Sequence, residues 1–194
     1  MMYYALCEMK NIQRYFVLGA VFLGVLGSCS DDVDFDQAND LEVSPVLEGP
    51  VAFVEAPEFL INQVAPGISF YSEEFNFDAF SSDFFSERVI EGLITYEIEN
   101  STSKELDVVV DLVDEMGNVL DTESFLIDRA VGSVFVLERQ IFYGPGGRSI
   151  DIIKNTSGIR VSATNLGDNI TVSPISPQKI FLRSSGEFRI ELIK

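Results

Sequence analysis

The chain has few side chains that could carry covalent or metal chemistry. It contains no histidine, and its two cysteines are Cys7 and Cys29. Nucleophile–base pairs and metal sites that depend on imidazole are therefore excluded, and no cofactor is predicted. Carboxylates are abundant, with 31 Asp and Glu against 13 Lys and Arg. Two carboxylates can hydrolyse a glycosidic bond as acid and nucleophile or base, but none here lies in a recognisable catalytic motif.

Cys29 follows a segment with the layout of a secretory signal. Lys10 and Arg14 supply positive charge, residues 15–26 are mainly apolar, and Leu26-Gly27-Ser28 ends in small residues. The apolar run has 12 residues, whereas a helix that spans a bilayer needs about 20. A signal helix removed after export is therefore predicted, rather than a membrane span.

Leu26-Gly27-Ser28 followed by Cys29 resembles the lipobox of bacterial lipoproteins. In that family a peptidase cuts just before the cysteine, whose sulfur carries a diacylglyceryl group. The resemblance implies that residues 1–28, with a true start at Met1 or Met9, form the signal peptide. It also implies that acylated Cys29 attaches the protein to a lipid bilayer. The alternative is an ordinary cleaved signal in which Cys29 is incidental.

The segment after Cys29 is purely anionic. Residues 30–87 contain 14 Asp and Glu and no Lys or Arg. This segment would be repelled by nucleic-acid phosphates, and it lacks the basic clusters that bind anionic lipids. No nucleic-acid partner is predicted. Residues 29–48 show no sustained apolar period and predict a disordered acidic tether.

The tether begins with Ser30-Asp31-Asp32-Val33-Asp34-Phe35-Asp36, which resembles the export signal of surface-displayed lipoproteins in the Bacteroidetes group. The resemblance implies a lipid-anchored protein of the bacterial outer membrane that faces the cell surface, with Ser30, Asp31, Asp32 and Asp34 as the export tether. A plain solvated spacer is the alternative.

The same aspartates have the spacing of a calcium loop. Asp32, Asp34 and Asp36 occupy its positions 1, 3 and 5. Gln37 and Val43, however, stand where that loop needs glycine and a bidentate glutamate. No dedicated metal site is predicted.

From Gly49 onward apolar residues recur with period two, which is typical of half-buried antiparallel strands. A hairpin turn is expected at residues 114–118 and a short helix at 150–155 with Ser149 as N-cap. The glycine-rich residues 144–149 predict a tight turn. Short strands with turns at this spacing indicate a single all-β sandwich over residues 49–194. The predicted strands cover residues 90–99, 106–112, 119–127, 134–143, 159–163, 170–173, 179–183 and 187–193.

Two stretches resemble known bacterial proteins. Tyr96-Glu97-Ile98-Glu99-Asn100-Ser101, the strand 105–112 and the turn 114–118 resemble immunoglobulin-like sandwich modules of bacterial surface proteins. Residues 182–188 are similar to the end of uncharacterised flavobacterial lipoproteins. These resemblances imply an immunoglobulin-like fold behind a tether, and they imply no activity.

Seven aromatic residues fall within the sixteen residues 70–85. Either the rings fill the sandwich core while neighbouring carboxylates face water, or they form an exposed partner patch. Tyr71, Tyr96 and Tyr143 could stack on a sugar if they were exposed. The rings of the candidate patch are Phe70, Tyr71, Phe75, Phe77, Phe80, Phe84 and Phe85.

These observations favour a membrane-anchored, non-catalytic accessory or binding subunit with an envelope protein as partner. A carboxylate-dependent glycan hydrolase and a glycan-binding module remain the alternatives. An enzyme requires a cleft with two carboxylates, a glycan binder an exposed ring, and a partner subunit an apolar surface.

Overall fold

Two four-stranded antiparallel sheets make up most of the chain described by a computed structural model, which covers residues 43–77, 80 and 82–192. The predicted all-β antiparallel sandwich is confirmed. Within the described residues, three short helices connect the strands: α1 (Glu58–Ile61), α2 (Asp83–Arg88) and α3 (Ile150–Asn155). The strands are β1 (Val46–Pro57), β2 (Ser69–Asn76), β3 (Val89–Asn100), β4 (Leu106–Val113), β5 (Val119–Ile127), β6 (Phe135–Tyr143), β7 (Gly158–Asn165) and β8 (Lys179–Ile190).

The strand pairs are nested about the turn between β4 and β5. β4 pairs with β5, β3 with β6, β2 with β7 and β1 with β8, so the chain follows the course of one long hairpin. Pairing of β3 with β8 and of β4 with β7 completes a first sheet, β1-β8-β3-β6, and a second sheet, β2-β7-β4-β5. Eight strands rolled in this way form a jelly roll. The order differs from the immunoglobulin arrangement, in which sheets ABED and CFG face each other.

Alternation along β3 and β4 positions the core between the sheets. In β3 the side chains of Ile94, Tyr96 and Ile98 are buried, while the residues between them are half-buried on the other face. The ring of Tyr96 lies 5.4 Å from that of Phe125, which belongs to β5 of the opposite sheet. Burying one large apolar side chain contributes about 1.5–3 kcal/mol. The period of two therefore determines which face of each strand lies inside.

The predicted turn and helix are confirmed. In the turn at residues 114–118, Asp114 Oδ1 accepts hydrogen bonds from the backbone N–H of Met116 at 2.9 Å and of Asn118 at 2.8 Å. Gly117 has a φ of +77°, which few other residues adopt without strain. Helix α3 begins after Ser149, whose hydroxyl accepts the N–H of Asp151 at 3.2 Å, as an N-cap does.

The strand boundaries differ from the predicted ones in several places. Residues 179–183 and 187–193 were expected as two strands, but β8 is continuous from Lys179 to Ile190 because it pairs along its length with β1 and β3. The sequence did not predict β1 or β2. Strand β1 begins at Val46, three residues before the start expected for the domain at Gly49.

The strand predicted at residues 170–173 is wrong, because these residues lie in the loop between β7 and β8. Ile170 and Val172, which suggested alternation, are 81% and 64% exposed. The residues between and after them, Thr171 and Ser173, form hydrogen bonds within the fold. The N–H and hydroxyl of Thr171 donate to Asp168 at 2.7 Å each, and Ser173 contacts Glu58.

Buried Lys104 fastens one part of this loop. Its Nζ donates to Asp168 Oδ1 at 2.8 Å, to the carbonyl of Thr171 at 2.8 Å and to the Thr171 hydroxyl at 2.9 Å. These three bonds use all three donors of the ammonium group. The hydrogen bond from Lys104, with those from Thr171 and Ile170, holds the pKa of Asp168 well below its usual range.

Buried Glu58 fastens the other part. Its carboxylate accepts hydrogen bonds from the N–H and the hydroxyl of Ser103, at 2.7 and 2.6 Å, and from the N–H of Ser173 at 2.9 Å. Glu58 belongs to α1, Ser103 follows β3, and Ser173 precedes β8. One side chain therefore joins three connections of the fold.

Replacing Glu58 by alanine is expected to lower the free energy of unfolding by about 3 kcal/mol. A hydrogen bond to a charged group contributes about 1.5–3 kcal/mol, and the N–H groups of Ser103 and Ser173 would lose their acceptor. Urea unfolding followed by circular dichroism measures the change. Glu55→Ala is the control, because the pair that Glu55 forms with Lys179 is exposed and contributes at most about 1 kcal/mol. Equal losses for the two variants would contradict the role given to Glu58.

Six of the seven rings between residues 70 and 85 pack in or against the core. Phe80 and Phe85 are buried and lie 4.8 and 5.3 Å from the ring of Phe188. Phe84 is 53% exposed, with the guanidinium of Arg88 4.8 Å above its ring. These aromatics therefore serve packing and do not form the exposed patch that the sequence left open. The partly buried members of the group are Phe70, Tyr71, Phe75 and Phe77.

Candidate binding surface

The outer face of the first sheet carries the side chains that β1, β8, β3 and β6 turn away from the core. The pairing registers align these side chains in rows across the sheet, so that residues distant in sequence become neighbours. One row runs Phe53, Arg183, Glu97 and Glu138. The face is formed by Val46, Glu48, Phe53 and Glu55 of β1, by Lys179, Phe181, Arg183, Ser185, Glu187 and Arg189 of β8, by Glu91, Leu93, Thr95, Glu97 and Glu99 of β3, and by Val136, Glu138, Gln140 and Phe142 of β6.

An aromatic pair with one exposed and one half-buried ring lies on this face. The rings of Phe53 and Phe181 are stacked with centroids 6.4 Å apart and planes 27° from parallel. Phe53 is 62% exposed. The charged ends of Lys179 and Arg183 lie 5.7 and 5.4 Å from the centroid of the Phe181 ring, within cation–π distance. Such rings offer large contact area at low entropic cost.

Beyond the aromatic pair the surface continues into a groove of about 380 Å³ beside α1. Phe59, 63% exposed, and Val172 supply its apolar sides. The ion pair between Lys179 and Glu55, at 2.7 Å, lies between this groove and Phe181. The exposed rings of Phe53 and Phe59 and the half-buried ring of Phe181 thus lie near one charged pair.

Negative charge predominates on the outer face, where seven glutamates accompany three basic side chains. Each basic side chain is already paired within the face: Lys179 with Glu55, Arg183 with Glu97 and Glu99, and Arg189 with Glu91. The hydrogen bond from Arg183 lowers the pKa of Glu97. Among the described residues, Glu48, Glu138 and Glu187 have no basic partner.

A second groove crosses the opposite end of the face. It has a volume of about 190 Å³ and is lined by Val46, Leu93 and Phe142 together with Glu91, Glu187 and Arg189. Val46 and Phe142 are 50% and 38% exposed. Its apolar walls come from β1, β3 and β6. Leu93 of β3 is opposite Phe142 of β6 on one side and Glu187 of β8 on the other.

Two carboxylates of β5, Asp121 and Glu123, belong to a cluster of ion pairs. Asp121 Oδ2 accepts hydrogen bonds from the Tyr143 hydroxyl at 2.9 Å and from Arg148 at 2.5 Å, and Arg148 also contacts Glu123. Glu123 accepts a second bond from Arg139 at 3.1 Å. Because Arg139 belongs to β6, this ion pair joins the two sheets at one edge of the sandwich.

Burial affects the titration of this cluster. Burial raises the pKa of Tyr143, and the charge of Asp121 adds to the effect, so the phenol remains a donor. Burial opposes the charged form of Arg148, but hydrogen bonds to Asp121 and Glu123 outweigh it and raise the pKa of the guanidinium. The cluster is a closed set of ion pairs, with the side chain of Glu123 only 7% exposed.

The predicted site residues have different outcomes. Leu26, Gly27, Ser28, Cys29, Ser30, Asp31, Asp32 and Asp34 lie outside the described residues. Tyr96 and Tyr143 are each 1% exposed, so the suggestion that they stack on a sugar is wrong. Tyr71 is half-buried against the core, with its hydroxyl 2.6 Å from Glu73.

Two further observations concern ligands and membranes. Within residues 43–77, 80 and 82–192, no three Cys, His, Asp or Glu side chains converge as metal ligands would. No helix in the same part of the chain is both long and apolar enough to cross a bilayer.

The aromatic side chains of the outer face were not predicted because Phe53 and Phe181 are far apart in the sequence, whereas residues 70–85 contain a dense group of aromatic residues. The outward position of Phe181 could have been predicted from the alternation along β8. In β8 the buried positions are Ile180, Leu182, Ser184, Gly186, Phe188 and Ile190, and Phe181 is the large apolar residue in the outward series that begins with Lys179 and includes Arg183. A ring in the polar half of an alternating strand is a candidate for exposure.

No family model matches this chain, and no curated protein does either. Among solved structures it is similar to the VP2 subviral particle of infectious bursal disease virus, at 10% identity and a TM-score of 0.35, over 80% of this chain and 34% of that one. It is also similar to Desmodium yellow mottle tymovirus, at 8% identity and a TM-score of 0.34, over 79% and 90% of the two chains. A third is the enzymatically active domain of bacteriophage CBA120 tailspike protein 4, at 9% identity and 0.33, over 75% and 19%.

This chain spans about a third of the length of the VP2 chain that it matches. Similarities at such low identity and TM-score carry no argument about function. The assignment of the fold rests instead on the strand order of the two sheets.

Proposed function

We propose that this protein is a lipid-anchored, non-catalytic binding subunit at the surface of a bacterial envelope, and that it binds an envelope protein through the outer face of the first sheet. The anchor is Cys29, on the strength of the lipobox resemblance. The binding role is supported by one observation above others: the ring of Phe53, 62% exposed, stacks on the half-buried ring of Phe181, and the exposed ring of Phe59 lines the neighbouring groove.

Exposed aromatic rings favour binding because contact with a partner removes their apolar surface from water. A single exposed apolar side chain is ordinary, but neighbouring rings on one face are typical of interaction sites. Aromatic side chains also contribute most to measured interface energies. The rings here belong to β1, β8 and α1, elements that the sheet hydrogen bonds and Glu58 hold in place. A rigid support of this kind reduces the entropic cost of binding.

One pair of neighbouring carboxylates available to a glycan hydrolase is Asp121 and Glu123 of β5. Hydrolysis requires a cleft in which both carboxylates reach the sugar. Glu123 is buried and bound by two arginines, which closes that approach. A glycan-binding module remains an alternative through the ring of Phe53, since a planar exposed ring can stack on a sugar.

Replacing Phe53 by serine is expected to reduce partner recovery at least tenfold when the tagged protein is crosslinked in native membranes and affinity-purified. Loss of an aromatic side chain that dominates an interface costs about 2 kcal/mol or more, which is more than a tenfold change in affinity. Quantitative mass spectrometry of the captured proteins measures the recovery.

Leu126→Ser is the matched control, because Leu126 is 60% exposed on the outer side of the second sheet. It should leave recovery unchanged. Equal loss with both variants, or no protein captured by the native chain, would contradict the proposal. Capture of envelope polysaccharide instead of protein, lost on Phe53→Ser, would favour the glycan-binding alternative.

A further inference from the structure

We propose that the groove between Val46, Leu93 and Phe142 binds a Lys or Arg side chain presented by the protein partner. This inference rests on the proposed function, since it states the chemistry that the outer face recognises in its partner. It concerns the end of the face away from Phe53 and Phe181, so the two can be tested separately.

The groove is suited to a side chain with an apolar stem and a charged end. Val46, Leu93 and Phe142 provide apolar walls on three strands, in a space of about 190 Å³. Lys and Arg bury their methylene stems along apolar surface and keep the charged group at a polar rim. The polar rim of the same groove is formed by Glu187 and by the ion pair of Arg189 with Glu91, so that Glu187 is the lining carboxylate without a basic partner among the described residues.

Unpaired negative charge is concentrated beside the groove. Glu187 of β8 is directly opposite Glu48 of β1 in the sheet register. Like charges opposite each other on neighbouring strands are destabilising. Elsewhere on the face, Glu97 in the row of Phe53 and Glu99 in the row of Phe181 both pair with Arg183. No basic side chain of the described residues pairs with Glu48 or Glu187, so a cation from outside would relieve their repulsion.

Charge complementarity selects the occupant. A second copy of this chain would bring another acidic face against this one, and the whole chain has a formal net charge of −18. Anionic lipids and nucleic acids would be repelled for the same reason. A neutral sugar would leave the carboxylates of Glu48 and Glu187 uncompensated. A basic protein segment satisfies both the apolar walls and the charge.

The test uses the full-length protein purified from membranes in a neutral detergent. The probe is a capped decapeptide of Gly and Ser with Lys at alternate positions, labelled with an uncharged dye and titrated by fluorescence anisotropy. A second peptide has norleucine in place of every Lys, which keeps most of the stem and removes the charge. The lysine peptide should bind, more weakly as salt increases, and the norleucine peptide should bind at least tenfold more weakly.

Neutral variants locate the binding. Glu187→Gln and Glu48→Gln should each weaken binding of the lysine peptide by about three- to fivefold, the range expected for one exposed ion pair. Glu138→Gln is the matched control, because it removes the same charge from the same face two strands from Glu187. It should change the affinity by less than about 1.5-fold, since salt screens charges at that separation. All three side chains are solvent-exposed, so the variants should fold normally.

Three results would overturn the inference: equal weakening by Glu138→Gln, equal binding of the norleucine peptide, or no binding of the lysine peptide. The first would mean diffuse attraction to an acidic surface, and the second apolar binding alone. If capture of a partner requires Phe53 while the peptide ignores Glu187, the inference fails and the proposed function stands. If peptide binding depends on Glu187 but no protein partner is captured, the groove binds a basic side chain and the proposed function fails.

Discussion

Replacing Cys29 by serine is expected to release at least nine-tenths of the protein from the membrane fraction. In the proposed lipoprotein the cysteine sulfur carries the diacylglyceryl group, and serine offers no thiol. Each buried methylene contributes about 0.8 kcal/mol, so two acyl chains give lasting attachment and their loss removes it. Incorporation of labelled fatty acid, together with membrane fractionation, measures the effect.

Ser28→Ala is the control for this experiment, because it keeps a small residue before Cys29 and should leave lipidation intact. Labelled fatty acid that enters the native protein and Cys29→Ser equally would contradict the anchor. Protease added to intact cells tests the proposed surface location in the same strains, since a domain facing the outside is digested without lysis.

Replacing Phe188 by alanine is expected to lower the free energy of unfolding by about 4 kcal/mol, within the range of 3–5 kcal/mol for large aromatic residues in cores. The ring of Phe188 is 5% exposed and contacts the rings of Phe80 and Phe85. It also lies against Gly92 and Gly186, where a Cβ atom would come within 2.9 and 2.3 Å of the ring. Neither glycine has a side chain to fill the cavity. Urea unfolding followed by circular dichroism measures the change.

Phe53→Ala is the matched control, because it removes the same side chain from an exposed position of the neighbouring strand β1. Its effect on unfolding should be below about 1 kcal/mol, as for surface substitutions in general. A similar loss for both variants would contradict the core position of Phe188.

The sequence predicted strands where local periodicity was strong. In β3 and β4 apolar residues recur at alternate positions, and in β5 and β6 short apolar runs flank polar residues; the boundaries of all four strands agree within a few residues. Strands β1 and β2 were missed because buried and exposed positions do not alternate regularly along them. The jelly-roll order was beyond local reasoning, since β1 pairs with β8 more than a hundred residues later. Repeated short strands alone fit either type of sandwich.

The candidate binding surface could be predicted from the sequence less well than the fold. Residue type alone does not distinguish an aromatic ring that packs in the core from one that binds a partner. The dense aromatic segment at residues 70–85 was therefore a candidate patch, although most of its rings pack in or against the core. The informative rings are isolated in sequence. Phe53, Phe181 and Phe142 share one face only because β1, β8 and β6 belong to the same sheet. Ion pairing of Lys179 and Arg183 with glutamates of other strands has the same origin.

The nested pairing of the strands has a consequence for how the protein is made. The innermost pair, β4 and β5, is joined by a short turn and can form as soon as both strands have been synthesised. Each outer pair must wait for a strand further along the chain, and β1 and β3 both require β8. The first sheet therefore cannot be completed until Ile190 has been synthesised.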